Sequence, residues 1–142
     1  MTYKVLIYSN PSLPVGLYYC KCLDLKLVPS GDSSYLWILL LTGPSYQECA
    51  GQRLNSILHL TDASASLVKK FRKTFRIQDD EFSSAIGRWG CVSVFDNTWC
   101  GTKFSNVAYV KQTALMKKAS LELEEGEKNG LLEWENPPNM TV

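Results

Sequence analysis

The chain has 142 residues, of which 45% are hydrophobic and 20% charged, and a formal net charge of +1. This length suits one domain and is enough to bury a core without staples. No apolar run approaches the ~18 residues of a membrane span. The opening "MTYKVLIYSN" has one lysine and no small-residue cleavage site, unlike a secretory leader, so a cytoplasmic protein with no membrane partner is expected.

Five cysteines form no CxxC, and His59 is the single histidine, so no metal or cofactor site is predicted. The thiols read instead as reduced and mostly buried. Charge is unevenly spread. Residues 1–118 hold 14 Lys/Arg against 8 Asp/Glu, whereas residues 119–142 hold Lys128 against six glutamates. A basic body followed by an acidic tail favours a polyanionic partner.

The first strand is expected over residues 13–28, "LPVGLYYCKCLDLKLV". Its apolar parity runs through Tyr18, Cys20 and Cys22 and then switches to Leu23, Leu25 and Leu27. No flat strand buries both sets, so a bulge or bend is predicted between Cys22 and Leu23. "PSGDSS" (29–34) is turn chemistry. "SYLWILLLTG" (34–43) is a second strand too apolar for parity to say whether Trp37 faces core or ligand. A third strand over 52–60 sets Leu54, Leu58 and Leu60 opposite Arg53, Asn55, Ile57 and His59.

Residues 61–77 predict the one strong body helix, with Asp62 or Ser64 as its cap and Leu67, Val68, Phe71 and Phe75 as its apolar stripe. The "QDDE" at 78–81 reads as a solvated cap rather than a metal-assisted nuclease site. Strand four is expected over 88–95, with Val92 and Val94 inward and Phe95 on the other parity. Residues 96–103 read as a loop, 104–112 as strand five, and 113–128 as a weaker helix.

Three strands, a helix and two strands is the element order of the OB-fold, a five-stranded Greek-key barrel whose helix between strands three and four plugs one end. The bent first strand fits such closure. The expected division is an OB-fold domain at 1–118 and a flexible acidic tail at 119–142.

Four stretches of the chain occur in an order that resembles phage and prophage single-stranded-DNA-binding-like proteins, a family long filed as a domain of unknown function. Pro14, Gly16 and Tyr18 match its first element, and Tyr46, Gly51 and Arg53 its third. Gly90, Val92 and Val94 match the fourth, and Phe104, Asn106 and Ala108 the fifth, with Ala108 where a branched residue is usual. The resemblance covers residues 13–112. It implies an OB-fold, a role in phage or mobile-element DNA replication or recombination in the cytoplasm of a bacterial host cell, and single-stranded DNA as partner. The acidic C-terminus resembles tails that dock replication or recombination proteins, although it ends "PPNMTV" rather than in an acidic-Phe tip. A homo-oligomer is compatible with this reading.

A sequence-tolerant binder of unpaired strands needs a basic groove lined with flat side chains. In an OB-fold that surface is the face of strands two and three with the 1–2 and 4–5 loops. The residues expected there are Tyr19, Lys21, Tyr35, Trp37, Arg53, Asn55, Phe95, Trp99, Lys103 and Phe104, with Trp99 foremost. Tyr109 and Trp89 are expected in the interior, and the helix lysines in solvent. No Gly-rich phosphate loop or nucleophile–base arrangement accompanies them, so a non-enzymatic protein is expected. The competing reading is an OB-fold protein-interaction or inhibitor module that binds no nucleic acid.

Overall fold

The structure is a computed structural model that describes residues 10–43, 49–78 and 81–130. Tyr46, the pair Asp79–Asp80 and the terminal residues 131–142 lie outside the described residues. Five strands appear: β1 (Gly16–Ser30), β2 (Ser33–Thr42), β3 (Arg53–His59), β4 (Trp89–Trp99) and β5 (Thr102–Tyr109). Among the described residues two α-helices accompany them, α1 (Ala65–Phe75) between β3 and β4, and α2 (Ala114–Lys128) after β5, with short 3-10 turns at Asp62–Ser64 and Phe82–Ala85. The strands form one antiparallel sheet in the order β3–β2–β1–β4–β5. No helix of the described residues is long and apolar enough to cross a membrane.

β1 is the shared strand, and its register explains how. Residues 16–21 pair with β4, while residues 20–30 pair with β2. The β1–β2 register shifts between Cys22 and Asp24, which is the bulge the parity switch requires. Before it, Tyr18, Cys20 and Cys22 point inward and are buried. Beyond it, Leu25 packs on the core, but Leu27 is 60% exposed, because that end of β1 has only β2 beside it. From β2 and β3 the interior receives Leu36, Ile38, Leu40, Leu54 and Leu58, which leaves Trp37 on the outward parity.

α1 turns Val68, Phe71 and Phe75 into this core, whereas Leu67, expected in the same stripe, faces solvent because the first turn of the helix lies ahead of the buried stretch, which begins at Val68. The Phe71 ring meets Tyr109 edge-on at 5.1 Å, a favourable aromatic geometry. The helix lies so close to β4 that a Cβ on Gly90 would come within 2.4 Å of Thr74 Cγ2. Of the two expected caps, Ser64 occupies the cap position without a side-chain hydrogen bond, and Asp62 lies in the short 3-10 turn ahead of the helix. Its end is built more firmly. Arg76 adopts the left-handed conformation (φ 56°), and the Arg88 guanidinium donates to the carbonyls of Phe75 and Arg76. A cation there also meets the negative end of the helix dipole.

The expected loop at 96–103 is not a loop. β4 continues to Trp99 and β5 begins at Thr102, so the two strands form a ribbon closed by Cys100 and Gly101. Both turn residues have positive φ (51° and 79°), the signature of the hairpin turn whose twist matches paired strands. The β1–β2 connection is equally tight, with Ser30 paired to Ser33 across Gly31 and Asp32.

The boundary expected at residue 118 falls inside α2. Thr113 caps this helix by accepting from the Met116 N–H at 3.2 Å. α2 packs against β4, so residues 119–128 belong to the folded body.

The sheet curls until its edge strands β3 and β5 approach, and polar side chains stitch the seam. Tyr109 donates its hydroxyl to Ser56 Oγ at 2.8 Å. Asn10 donates to the carbonyls of Asn55 (2.9 Å) and Ser105 (3.0 Å), while its own oxygen accepts from the Asn55 N–H (2.7 Å). Ser105 binds the segment ahead of β1 through the Leu13 N–H and the Pro11 carbonyl. A mostly β, half-barrel sheet with a helix between β3 and β4 is consistent with an OB-like fold.

Two expected outcomes follow from the packing. Gly90→Ala forces Thr74 and α1 away from β4 and should destabilise the protein by roughly 1–3 kcal/mol, read as a lower urea midpoint. Burial, reinforced by the Asp24 charge, pushes the Cys22 thiol up to about 12, and burial pushes Cys91 up to about 11. Thiols of the unfolded chain ionise near ~8.5, so the neutral buried forms stabilise the fold fully below that pH, and the benefit is lost as pH climbs toward the folded values. Burial raises the Tyr109 phenol too, adding to the same trend. The urea midpoint should therefore fall between about pH 8 and about pH 10.5, more shallowly in Cys22→Ala. A flat midpoint across that range would refute the linkage.

Candidate nucleic-acid interface

Four of the ten expected site residues meet on the outer face of β2 and β3. Strand alternation places Tyr35 and Trp37 on β2 and Arg53 and Asn55 on β3 with that face outward. In register, Tyr35 stands opposite His59 and Trp37 opposite Ile57. The Tyr35 and His59 rings lie 5.9 Å apart at a 59° tilt. The Trp37 indole N–H donates to Asn55 Oδ1 at 2.9 Å. Trp37 is half-buried, so part of the indole remains open to a ligand.

Lys26, not among the expected residues, belongs to this surface. It pairs with Trp37 across the β1–β2 ladder, and its ammonium sits 5.6 Å from the Trp37 ring centroid. A cation at that distance is attracted to the ring's negative face. The signal was present in the sequence: once the parity of β1 switches at the bulge, Lys26 must face away from Leu25 and Leu27. His59 is the second addition, exposed and next to Tyr35.

Phe95, Trp99, Lys103 and Phe104 lie on the β4–β5 ribbon, whose outer half is exposed on both strands. Phe95 pairs with Asn106, Asn97 with Phe104, and Trp99 with Thr102. These pairings put all three aromatics on one face, with Phe104 diagonal to both Phe95 and Trp99, within reach for side chains of this size. Trp99 is 56% exposed and Phe95 39%. Lys103 falls on the opposite parity and forms a surface ion pair with Asp96 at 3.2 Å. Such a pair is worth little, so Lys103 is readily released.

Tyr19 and Lys21 do not join either group. They stand opposite Cys91 and Trp89, in the part of the sheet that α2 covers. Lys21 Nζ lies 2.6 Å from Glu127 Oε2, with both side chains about four-fifths buried. The Trp89 indole donates to the other Glu127 oxygen at 3.1 Å, and Glu124 receives the Trp89 backbone N–H at 2.8 Å and the Arg76 guanidinium. Glutamates expected in a loose tail thus complete the charge balance of the body here. Burial pushes the Tyr19 phenol up, in keeping with this packed position.

Trp89 and Tyr109 are interior residues, as their neighbours in sequence suggest. Lys69, Lys70 and Lys73 of α1 are exposed, whereas Arg72 lies 5.3 Å over the Phe82 ring and Arg76 binds Glu124. The β2–β3 face and the ribbon are joined at the seam, where Asn10 bonds both Asn55 and Ser105. Together they offer two aromatic platforms, with Lys26 and Arg53 beside the first and Lys103 on the opposite face of the ribbon. No protein-family model and no curated protein matches the chain.

Proposed function

We propose that this protein binds single-stranded DNA with little base preference, as an OB-fold Greek-key barrel, and does no chemistry on it. The observation that carries the reading is the outward grouping of Trp37, Tyr35 and Arg53 on β2–β3 with Lys26 of β1, followed across the seam by Phe104, Phe95 and Trp99. Unpaired strands expose base faces and one phosphate per nucleotide. Stacking on aromatics is indifferent to base identity, because every base has a π-face. Lysine and arginine beside the platforms take the phosphates by charge alone. The sequence resemblance supports a place in the DNA replication or recombination of phages or mobile elements.

The test is anisotropy of a fluorescent oligo-dT titrated with the full chain at several salt concentrations. Binding should occupy roughly 4–16 nucleotides and weaken with salt at a log–log slope of about −0.7 per phosphate neutralised. No binding at micromolar oligonucleotide, or binding indifferent to salt, would favour a protein-interaction module. Competition by ribose oligonucleotides separates DNA from RNA as the preferred strand.

Substitutions should divide by location. Trp99→Ala is expected to weaken binding by ~1–3 kcal/mol with an unchanged melting temperature, since the exposed ribbon tip supports no core. Lys26→Ala should shorten the salt slope by under one phosphate's worth. Lys21→Ala should lower stability instead, because it strips a buried partner from Glu127. A Lys21→Ala variant that loses DNA affinity while keeping its melting temperature would show that the strand runs beneath α2.

A further inference from the structure

We propose that Asn55 is a positioning residue, clamped by Asn10, that holds the Trp37 ring in place as a stacking platform. This rests on the reading above and changes the role expected for Asn55, from a direct DNA contact to a support.

Hydrogen-bond chemistry fixes both amides. An indole N–H only donates, so the Asn55 oxygen must face Trp37, at 2.9 Å. The Asn55 Nδ2 then faces Asn10 Oδ1, 3.3 Å away. That same Asn10 oxygen accepts the Asn55 backbone N–H at 2.7 Å, so the Asn10 nitrogen must point at carbonyls. It does, donating to Asn55 O and Ser105 O. Neither amide has a flipped alternative that keeps these bonds. Asn10 is buried at 7% exposure, so its bonds face little competition from water.

The consequence is a relay from the seam to the surface. Ser105 on β5 fixes Asn10, Asn10 fixes both the backbone and the side chain of Asn55, and Asn55 fixes the edge of the indole. A half-exposed tryptophan without such a bond samples several rotamers and must be ordered when a base stacks on it. Holding the ring beforehand removes that ordering cost from binding. The Asn55 oxygen already spent on Trp37 is poorly placed to read a base as well.

The experiment is a double-mutant cycle on oligo-dT binding with the full chain, using wild type, Asn55→Ala, Trp37→Phe and the double variant. Phenylalanine keeps a flat ring but has no N–H to hold. Asn55→Ala should weaken binding roughly fivefold to tenfold in the wild-type background, the worth of one hydrogen bond. In the Trp37→Phe background the same change should cost less than about twofold. In parallel, the indole N–H resonance that Trp37→Phe removes should shift and exchange faster in Asn55→Ala.

Equal losses in both backgrounds would overturn the proposal, because Asn55 would then meet DNA itself or act through the fold. No loss in either would overturn it as well. If Asn55→Ala does not fold, Trp37→Phe decides alone, and wild-type affinity in that variant defeats the positioning role, since a ring with no N–H to hold would then serve as well. Wild-type protein that binds no oligonucleotide would instead defeat the functional reading. The indole resonance would then judge the clamp, and an unmoved signal in folded Asn55→Ala would reject it.

Discussion

The bulge between Cys22 and Asp24 is the constraint on which the remaining architecture depends, because β1 must serve two partners whose inward faces demand opposite parity. Without the extra residue, burying Tyr18, Cys20 and Cys22 would turn Lys26 into the core and Leu25 out to water. With it, the β4 half and the β2 half share one interior, and the sheet gains the local twist that a curled wall needs. The placement of Lys26 over Trp37 is a direct result, so the bulge shapes the candidate interface as well as the core.

Curling leaves β3 and β5 as edges, and an exposed edge is a hazard that proteins cover or blunt. Here the cover is polar. Asn10, Ser56, Ser105 and Tyr109 supply donors and acceptors where the two strands approach, and each bond answers a group that burial would otherwise leave unpaired. The geometry of such a seam is more specific than an apolar contact would be, since hydrogen bonds tolerate little misalignment. That specificity suits a region lying between two outward aromatic surfaces.

α2 changes the electrostatic picture read from charge counts. Glu124 and Glu127 are committed to Arg76, Lys21 and both N–H groups of Trp89, in surroundings where removing one partner would strand the other. Part of the acidic excess thus neutralises the basic body from within, and part of the basic excess is withdrawn from any ligand. Among the described residues the cations still open to solvent are Lys26 and Arg53 on the β2–β3 face, Lys103 on the ribbon, Lys69, Lys70 and Lys73 on α1, and Lys111, Lys117, Lys118 and Lys128 at and before α2.

The order of elements, the parity switch in β1, the faces of β3, the stripe of α1 apart from Leu67, and the interior positions of Trp89 and Tyr109 were legible from the sequence, because alternation and helical periodicity are local consequences of burying one face. Trp37 was not legible. Residues 36–41 are apolar on both parities, so only pairing with β1 and β3 decided that Trp37 faces outward. The ribbon was hidden for a related reason: Asn97, Thr98, Cys100 and Gly101 look like loop chemistry, yet cross-strand pairing carries β4 through to Trp99. Tyr19 and Lys21 had the correct outward parity but the wrong neighbour, since no local pattern reveals that a helix one hundred residues later returns to cover them. The role of Asn55 depended on Asn10 and Trp37, whose side chains meet it across 45 and 18 positions of chain. Local sequence determined which faces must be buried; tertiary structure decided which outward faces remain open, because that depends on contacts between segments far apart in the chain.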